Sequence, residues 1–188
     1  MKRKILLVSA LALCLALVTA GTIAFYTAED DAQNRITAGN LSIELIELTD
    51  AVDEEGEPVP FEDVSGVMPG ASVSKIPKVV NTGANSAYVR VSIELGITLA
   101  EGVTGEVDTT LIQLDINEQY WTERDGWYYY MAVLQPGEAT EPLFTEVTFA
   151  WEMGDMYQNS TAEVLLNAHA TQAANNGSSA LEAVGWPE

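Results

Sequence analysis

Few side chains in this sequence have the means to do chemistry. The single histidine, His169, stands in AEVLLNAHATQ, on the same side of the alternation as Glu163, Asn167 and Thr171. An imidazole beside a carboxylate is a metal-ligand or general-base combination, but catalytic zinc usually draws on more nitrogen or sulfur ligands than one histidine supplies. His169 therefore reads as a surface residue. Seven carboxylates crowd between Asp50 and Asp63. Their spacing does not follow the alternating ligand-and-glycine pattern of a helix-loop-helix calcium loop, so Thr49–Asp63 reads as a solvated acidic loop. Trp127–Tyr130 is an unbroken aromatic run, either a platform for stacking a sugar or, more simply, packing in and on a sheet. HExxH, GxSxG, a phosphate-cradling glycine loop and a cysteine pair are all missing from the sequence. No catalytic, cofactor-binding or metal-binding residue is assigned. Asn40-Leu41-Ser42, Asn159-Ser160-Thr161 and Asn176-Gly177-Ser178 match the glycosylation acceptor pattern, which is frequent by chance.

The elements that must position these residues are strands. Leu41–Leu48 alternates Leu41, Ile43 and Leu45 against Ser42 and Glu44, the period of a half-buried strand. Ser72–Val80 reads as a strand interrupted at Pro77, which places it at an edge or a bulge because proline cannot donate to a ladder. Ala87–Leu95 has the cleanest alternation, with Ala87, Val89, Val91, Ile93 and Leu95 on one side and Tyr88, Arg90, Ser92 and Glu94 on the other. Asp125-Gly126 suits the positive backbone angles of a tight hairpin between Leu111–Glu123 and Trp127–Leu134. Leu143–Trp151 and Ala162–Gln172 complete the set, with a polar stretch over Met153–Ser160 and a flexible turn over Asn175–Ser179. Seven or eight short strands without βαβ alternation imply an all-β fold, an antiparallel β-sandwich or jelly roll.

The chain has 188 residues, the length of one domain, and 47% of them are apolar. Its formal charge is -20. Three of its eight basic residues (Lys2, Arg3, Lys4) precede the apolar run Ile5–Ala20, so without that leader 28 acidic residues face five basic ones, about -23. Such a surface repels itself and disfavours nucleic acid and anionic lipid. The only cysteine, Cys14, lies in the leader, which leaves no disulfide framework for the remainder. A basic start, an apolar core and small residues around Ala20–Ala24 have the anatomy of a secretory signal helix. The organisation that follows is a secretory signal with a candidate cleavage point around Ala20–Ala24, then a linking segment that runs to Asn40. A β-sandwich domain then covers 41–188. An uncleaved leader, long enough to span a bilayer, is the one route to a membrane.

Taken in order, GTIAFYTAEDDAQNRITAGNLSIEL, VMPGASVSKIPKVVNTGANSAYVRV, DGWYYYMAVLQPGEATEPLF and AEVLLNAHATQAANN resemble the TasA/camelysin family of secreted bacterial proteins. The resemblance implies a jelly-roll sandwich at the surface of a Gram-positive bacterium, processed by a SipW-type signal peptidase between Ala24 and Phe25. Relatives form extracellular fibres in the biofilm matrix, and their partners are copies of themselves or related matrix proteins. On that expectation, cleavage frees Phe25–Asn40, and Phe25, Tyr26 and Ile36 anchor it to the next subunit. The alternative is a monomeric cell-surface binding module or a camelysin-like surface protease, an activity for which the sequence offers no motif.

Overall fold

The two longest alternating stretches become the two longest strands. A computed structural model describes residues 41–64 and 68–187, all within one compact unit. The leader and Phe25–Asn40, with Ala24, Phe25, Tyr26 and Ile36, lie outside the described residues. Strand makes up 44% of the structure and helix 4%, with antiparallel sheets, so the fold is all-β.

In chain order the strands are β1 (Ile43–Val52), β2 (Pro58–Pro60), β3 (Ser72–Ser74), β4 (Ile76–Asn81), β5 (Ala87–Thr98) and β6 (Ile112–Leu114). They continue with β7 (Trp121–Arg124), β8 (Trp127–Tyr130), β9 (Glu146–Phe149) and β10 (Thr161–Gln172). They form three sheets, ordered β2-β1-β4, β10-β5-β8-β7 and β3-β9-β6. β5 and β10 pair along their full twelve residues, from Ala87 opposite Gln172 to Thr98 opposite Thr161. That register sets Val89 beside Ala170, Val91 beside Ala168 and Ile93 beside Leu166 on one face. This face meets Val79 of β4, Ile112 of β6, Trp121 of β7 and Val147 of β9, so the three sheets share one core. Phe144, Leu143 and Leu134 plug it from loops and are fully buried, each contributing about 1.5–3 kcal/mol of burial. Trp121 is buried with its ring 5.1 Å from that of Tyr130. Its indole N–H is satisfied by the carbonyls of Glu141 and Pro142 at 3.1 Å.

The Asp125-Gly126 hairpin forms as its residues demand, with φ of 54° and 79°, the two positive angles of a type I′ turn. Four segments depart from the sequence expectation. Leu111–Glu123 is not one hairpin arm: Ile112–Leu114 (β6) pairs with β9 in one sheet and Trp121–Arg124 (β7) pairs with β8 in another, with a turn between them. The strand over Ser72–Val80 breaks at Lys75, not at Pro77. Pro77 sits inside β4, which is the edge strand of its sheet, and there its carbonyl accepts from the Leu143 N–H at 3.1 Å. Lys75 turns inward, 2.8 Å from the Glu47 carboxylate and 4.1 Å above the Phe61 ring, and this inward turn separates β3 from β4. The acidic stretch Thr49–Asp63 is not simply a loop. β1 runs through Val52 and returns as β2, around a turn in which Asp53 Oδ1 accepts from the amides of Glu55 and Glu57. The strand expected over Leu143–Trp151 shortens to β9 because Leu143 and Phe144 are buried in succession, which an alternating strand with one solvated face does not allow.

Candidate functional site

The outer face of the β10-β5-β8-β7 sheet carries the densest group of functional side chains among the described residues. The alternation that sends Val89 and Val91 into the core sends Tyr88 and Arg90 outward. The same pairing puts His169 opposite Arg90 on β10 and Tyr129 opposite Arg90 on β8. The chain after β10 folds back across this face. Residues 173–187 form a clasp in which Ala180 and Ala183 pack with Tyr88 and Tyr129 in a second apolar cluster, joined by Trp127, Leu181 and Trp186.

The Arg90 guanidinium is sandwiched between two indoles, 4.0 Å from the Trp127 ring and 4.8 Å from the Trp186 ring. Its Nη2 donates to the Pro187 carbonyl at 3.0 Å and lies 3.3 Å from His169 Nδ1. A guanidinium only donates, so in this bond Nδ1 accepts. The His169 ring also lies 4.6 Å from that of Trp127. Trp186 meets Tyr129 edge-on at 5.7 Å, and Arg124 donates to the Leu181 carbonyl at 2.8 Å with its guanidinium 5.5 Å from the Tyr129 ring. At the start of the clasp, Asn176 donates to Thr171 Oγ1, Gln172 O and Val184 O, and accepts from the Val184 N–H. Thr171 Oγ1 itself donates to Val184 O at 2.9 Å.

His169 is therefore not the surface residue its alternation implied. It is 4% exposed, because the clasp covers the face that β10 alone would leave in water. The aromatic run divides by the same alternation, Trp127 and Tyr129 facing the clasp and Tyr128 and Tyr130 facing the main core. Burial, helped by the charges of Glu123 and Glu118, raises the Tyr128 pKa above its ordinary value. Among the described residues no three His, Cys, Asp or Glu side chains are placed to hold a metal ion, so the carboxylates of the β1–β2 hairpin do not converge on one. An open cleft of about 410 Å³ beside β1, β3 and β9 has Asp50 and Glu146 in its lining. Near it, Asp115 accepts from the Thr145 and Glu146 amides and the Thr145 hydroxyl. Burial works to raise the Asp115 pKa, but those bonds outweigh it and hold the carboxyl below its usual range.

Arg90, Arg124, Asn176 and Trp186 are the residues sequence reasoning missed. The available signal was on one face: Tyr88 and Arg90 of β5, Trp127 and Tyr129 of β8, and a chain end bearing another tryptophan.

A second feature lies at the rim of this sheet. β10 is its edge strand, and no described backbone pairs with its outward side. Only His169–Thr171 are buried along it, while Thr161–Glu163, Leu165, Asn167 and Gln172 are exposed, Leu165 to 56%. Comparison with known proteins finds no matching family model, curated protein or solved structure.

Proposed function

We propose that this chain is a secreted structural protein, a TasA-like component of a biofilm matrix or surface fibre, that assembles through its freed N-terminal segment. The observation that carries the reading is the edge of β10, twelve residues long and without a paired strand among the described residues. An edge strand presents a row of free N–H and C=O groups and accepts an added strand from another chain. Phe25–Asn40, extended at about 3.3 Å per residue, reaches roughly 50 Å, against roughly 40 Å for β10. It is therefore long enough to line the whole edge. Phe25, Tyr26 and Ile36 supply its apolar side chains, and Leu165 offers an exposed apolar contact on the receiving strand.

Charge sets the conditions. Lys75, Arg90 and Arg124 are all engaged within the subunit, so the exterior is left strongly anionic and neighbouring subunits repel. Salt shortens the screening length from about 10 Å at 0.1 M to about 3 Å at 1 M, so assembly strengthens with salt. Electron microscopy of the processed protein with and without Phe25–Asn40, at both salt levels, tests the proposal. Equal fibre yield from the two forms sinks it.

A further inference from the structure

The clasp is fastened at Asn176-Gly177, the dipeptide most prone to intramolecular loss of a side-chain amide, and we propose that this pair is a deamidation site that releases the clasp irreversibly. The geometry makes both residues necessary to the closed state. The Asn176 amide uses its nitrogen on Thr171 Oγ1 at 3.2 Å, Gln172 O at 2.9 Å and Val184 O at 2.9 Å, and its oxygen on the Val184 N–H at 2.9 Å. Gly177 has φ of +63°, and a Cβ there would lie 3.0 Å from the Glu182 carbonyl carbon, so a side chain is disfavoured by conformation and by space. The two residues that best close the clasp are thus the two that react most readily with each other.

In the reaction the Gly177 backbone nitrogen bonds to Asn176 Cγ and loses its proton. The Cγ–Nδ2 bond breaks and ammonia leaves, giving a five-membered succinimide. Water then opens the ring to aspartate or isoaspartate. No oxidant, reductant or enzyme is needed. Gly177 is exposed, and its N–H makes no hydrogen bond to the described residues, so neither burial nor a bond withholds the attacking nitrogen. The bonds on the Asn176 amide do restrain Cγ, and the reaction proceeds from the fraction of molecules whose clasp is transiently open.

The product cannot re-form the closed state. The new carboxylate carries no donor, yet it would face Gln172 O and Val184 O at the 2.9 Å once bridged by N–H groups. Acceptor against acceptor, with an added negative charge, costs more than the loss of the bonds alone. The same accounting bears on the glycosylation pattern at Asn176-Gly177-Ser178. A glycan on Nδ2 leaves it one N–H where the clasp shares two among three acceptors, so the closed clasp and a modified Asn176 exclude each other.

The test has two arms on the full processed chain. In the first, wild-type protein is aged at mildly alkaline pH beside a free peptide of residues 172–180, and the conversion of Asn176 is followed by mass spectrometry. Conversion slower than in the peptide, accompanied in the converted fraction by loss of hydrogen-exchange protection at the Ala183 and Val184 amides, is expected. In the second, Asn176→Asp is compared with wild type by exchange at the same amides, with far-UV circular dichroism to verify the sheets. A loss of protection of roughly tenfold to a hundredfold is expected from two to three lost hydrogen bonds. The proposal is overturned if converted or Asn176→Asp protein keeps wild-type protection, or if Asn176 stays intact while other asparagines of the folded chain convert. The aged arm begins from folded protein, so it decides the matter even if the variant folds poorly.

Discussion

Replacing Arg90 by lysine separates the energetics of the clasp from those of the sheet beneath it. The arginine makes four contacts, and they fall into two groups. Those to Trp127 and His169 lie within the β10-β5-β8-β7 sheet and persist when the clasp lifts. Those to the Trp186 ring at 4.8 Å and the Pro187 carbonyl at 3.0 Å exist only when it is closed. Lysine keeps the charge but loses the planar stack and the fork of donors. A cation over an aromatic face is worth about 0.5–2 kcal/mol depending on desolvation, and the bond to Pro187 about 0.5–1.5 kcal/mol. Lysine retains part of each, so closure weakens by roughly 1–2 kcal/mol, about a tenfold rise in the open population. Native-state hydrogen exchange reads this directly. The Ala183 amide, bonded to Ser179 O, and the Val184 amide, bonded to Asn176 Oδ1, report clasp opening. The amides of Ser92 and Asn167, opposite each other at the centre of the β5–β10 ladder, report global unfolding. The expected result is a loss of protection about tenfold larger at the clasp amides than that passed on from the sheet. Equal losses at both sets would mean that the clasp does not open as a separate unit, and the reasoning would fail.

Other substitutions test other parts of the fold. Asp115→Asn removes the charge that receives the bonds from Thr145 and Glu146, at about 1–3 kcal/mol near neutral pH. Because the folded pKa of Asp115 is lowered, its contribution is full above the ordinary carboxylate range and is lost as pH falls through the lowered value. The wild-type and Asn variants should therefore converge in urea midpoint on acidification, and a constant gap would refute the assignment. Trp121→Phe deletes an indole N–H bonded to two carbonyls and leaves a void, a loss of roughly 2–3 kcal/mol that appears as a lower denaturation midpoint at unchanged slope. Leu165→Lys, at an exposed position on β10, should shift stability by no more than about 0.5 kcal/mol. It blunts the edge as lysines commonly do, so fibres seen by electron microscopy should disappear, and undiminished fibres would exclude β10 as the receiving strand.

What was legible in the sequence was whatever depends on period and turn chemistry. Val89, Val91 and Ile93 alternate over a stretch long enough to fix the face of β5. Asp125-Gly126 sets a two-residue hairpin by backbone angle alone, and Pro77 places β4 at an edge. What failed depends on a partner far along the chain. His169 and Thr171 alternate with alanines as polar residues do on a solvated face, and nothing within β10 reveals that the clasp returns to cover them. The clasp hides for a related reason. It is rich in Ala, Gly, Ser and Asn, with Leu181 and Trp186 as its large apolar contacts, holds through side-chain bonds to carbonyls, and has no period to detect. The inward turn of Lys75 is likewise invisible until Glu47 and Phe61 are brought beside it by the β1 pairings.

The two unusual features of β10 bear on each other through charge. A long edge strand invites association, and proteins commonly blunt such edges with lysine, proline, a bulge or a cover. Here part of the strand is buried near the clasp and the remainder is exposed, with Glu163 the one charged side chain on it. The described arginines that stand near this sheet, Arg90 and Arg124, are engaged by the clasp and not by the edge. Among the described residues, protection of the edge therefore falls to net charge, which acts over a screening length and not at a contact. Such protection fades as ionic strength rises, whereas a lysine or proline in the strand would act at any salt. An edge guarded only by long-range repulsion stays closed to chance partners in dilute solution. In the assembly proposed above, it would open to a segment that a stacked neighbour delivers at high local concentration.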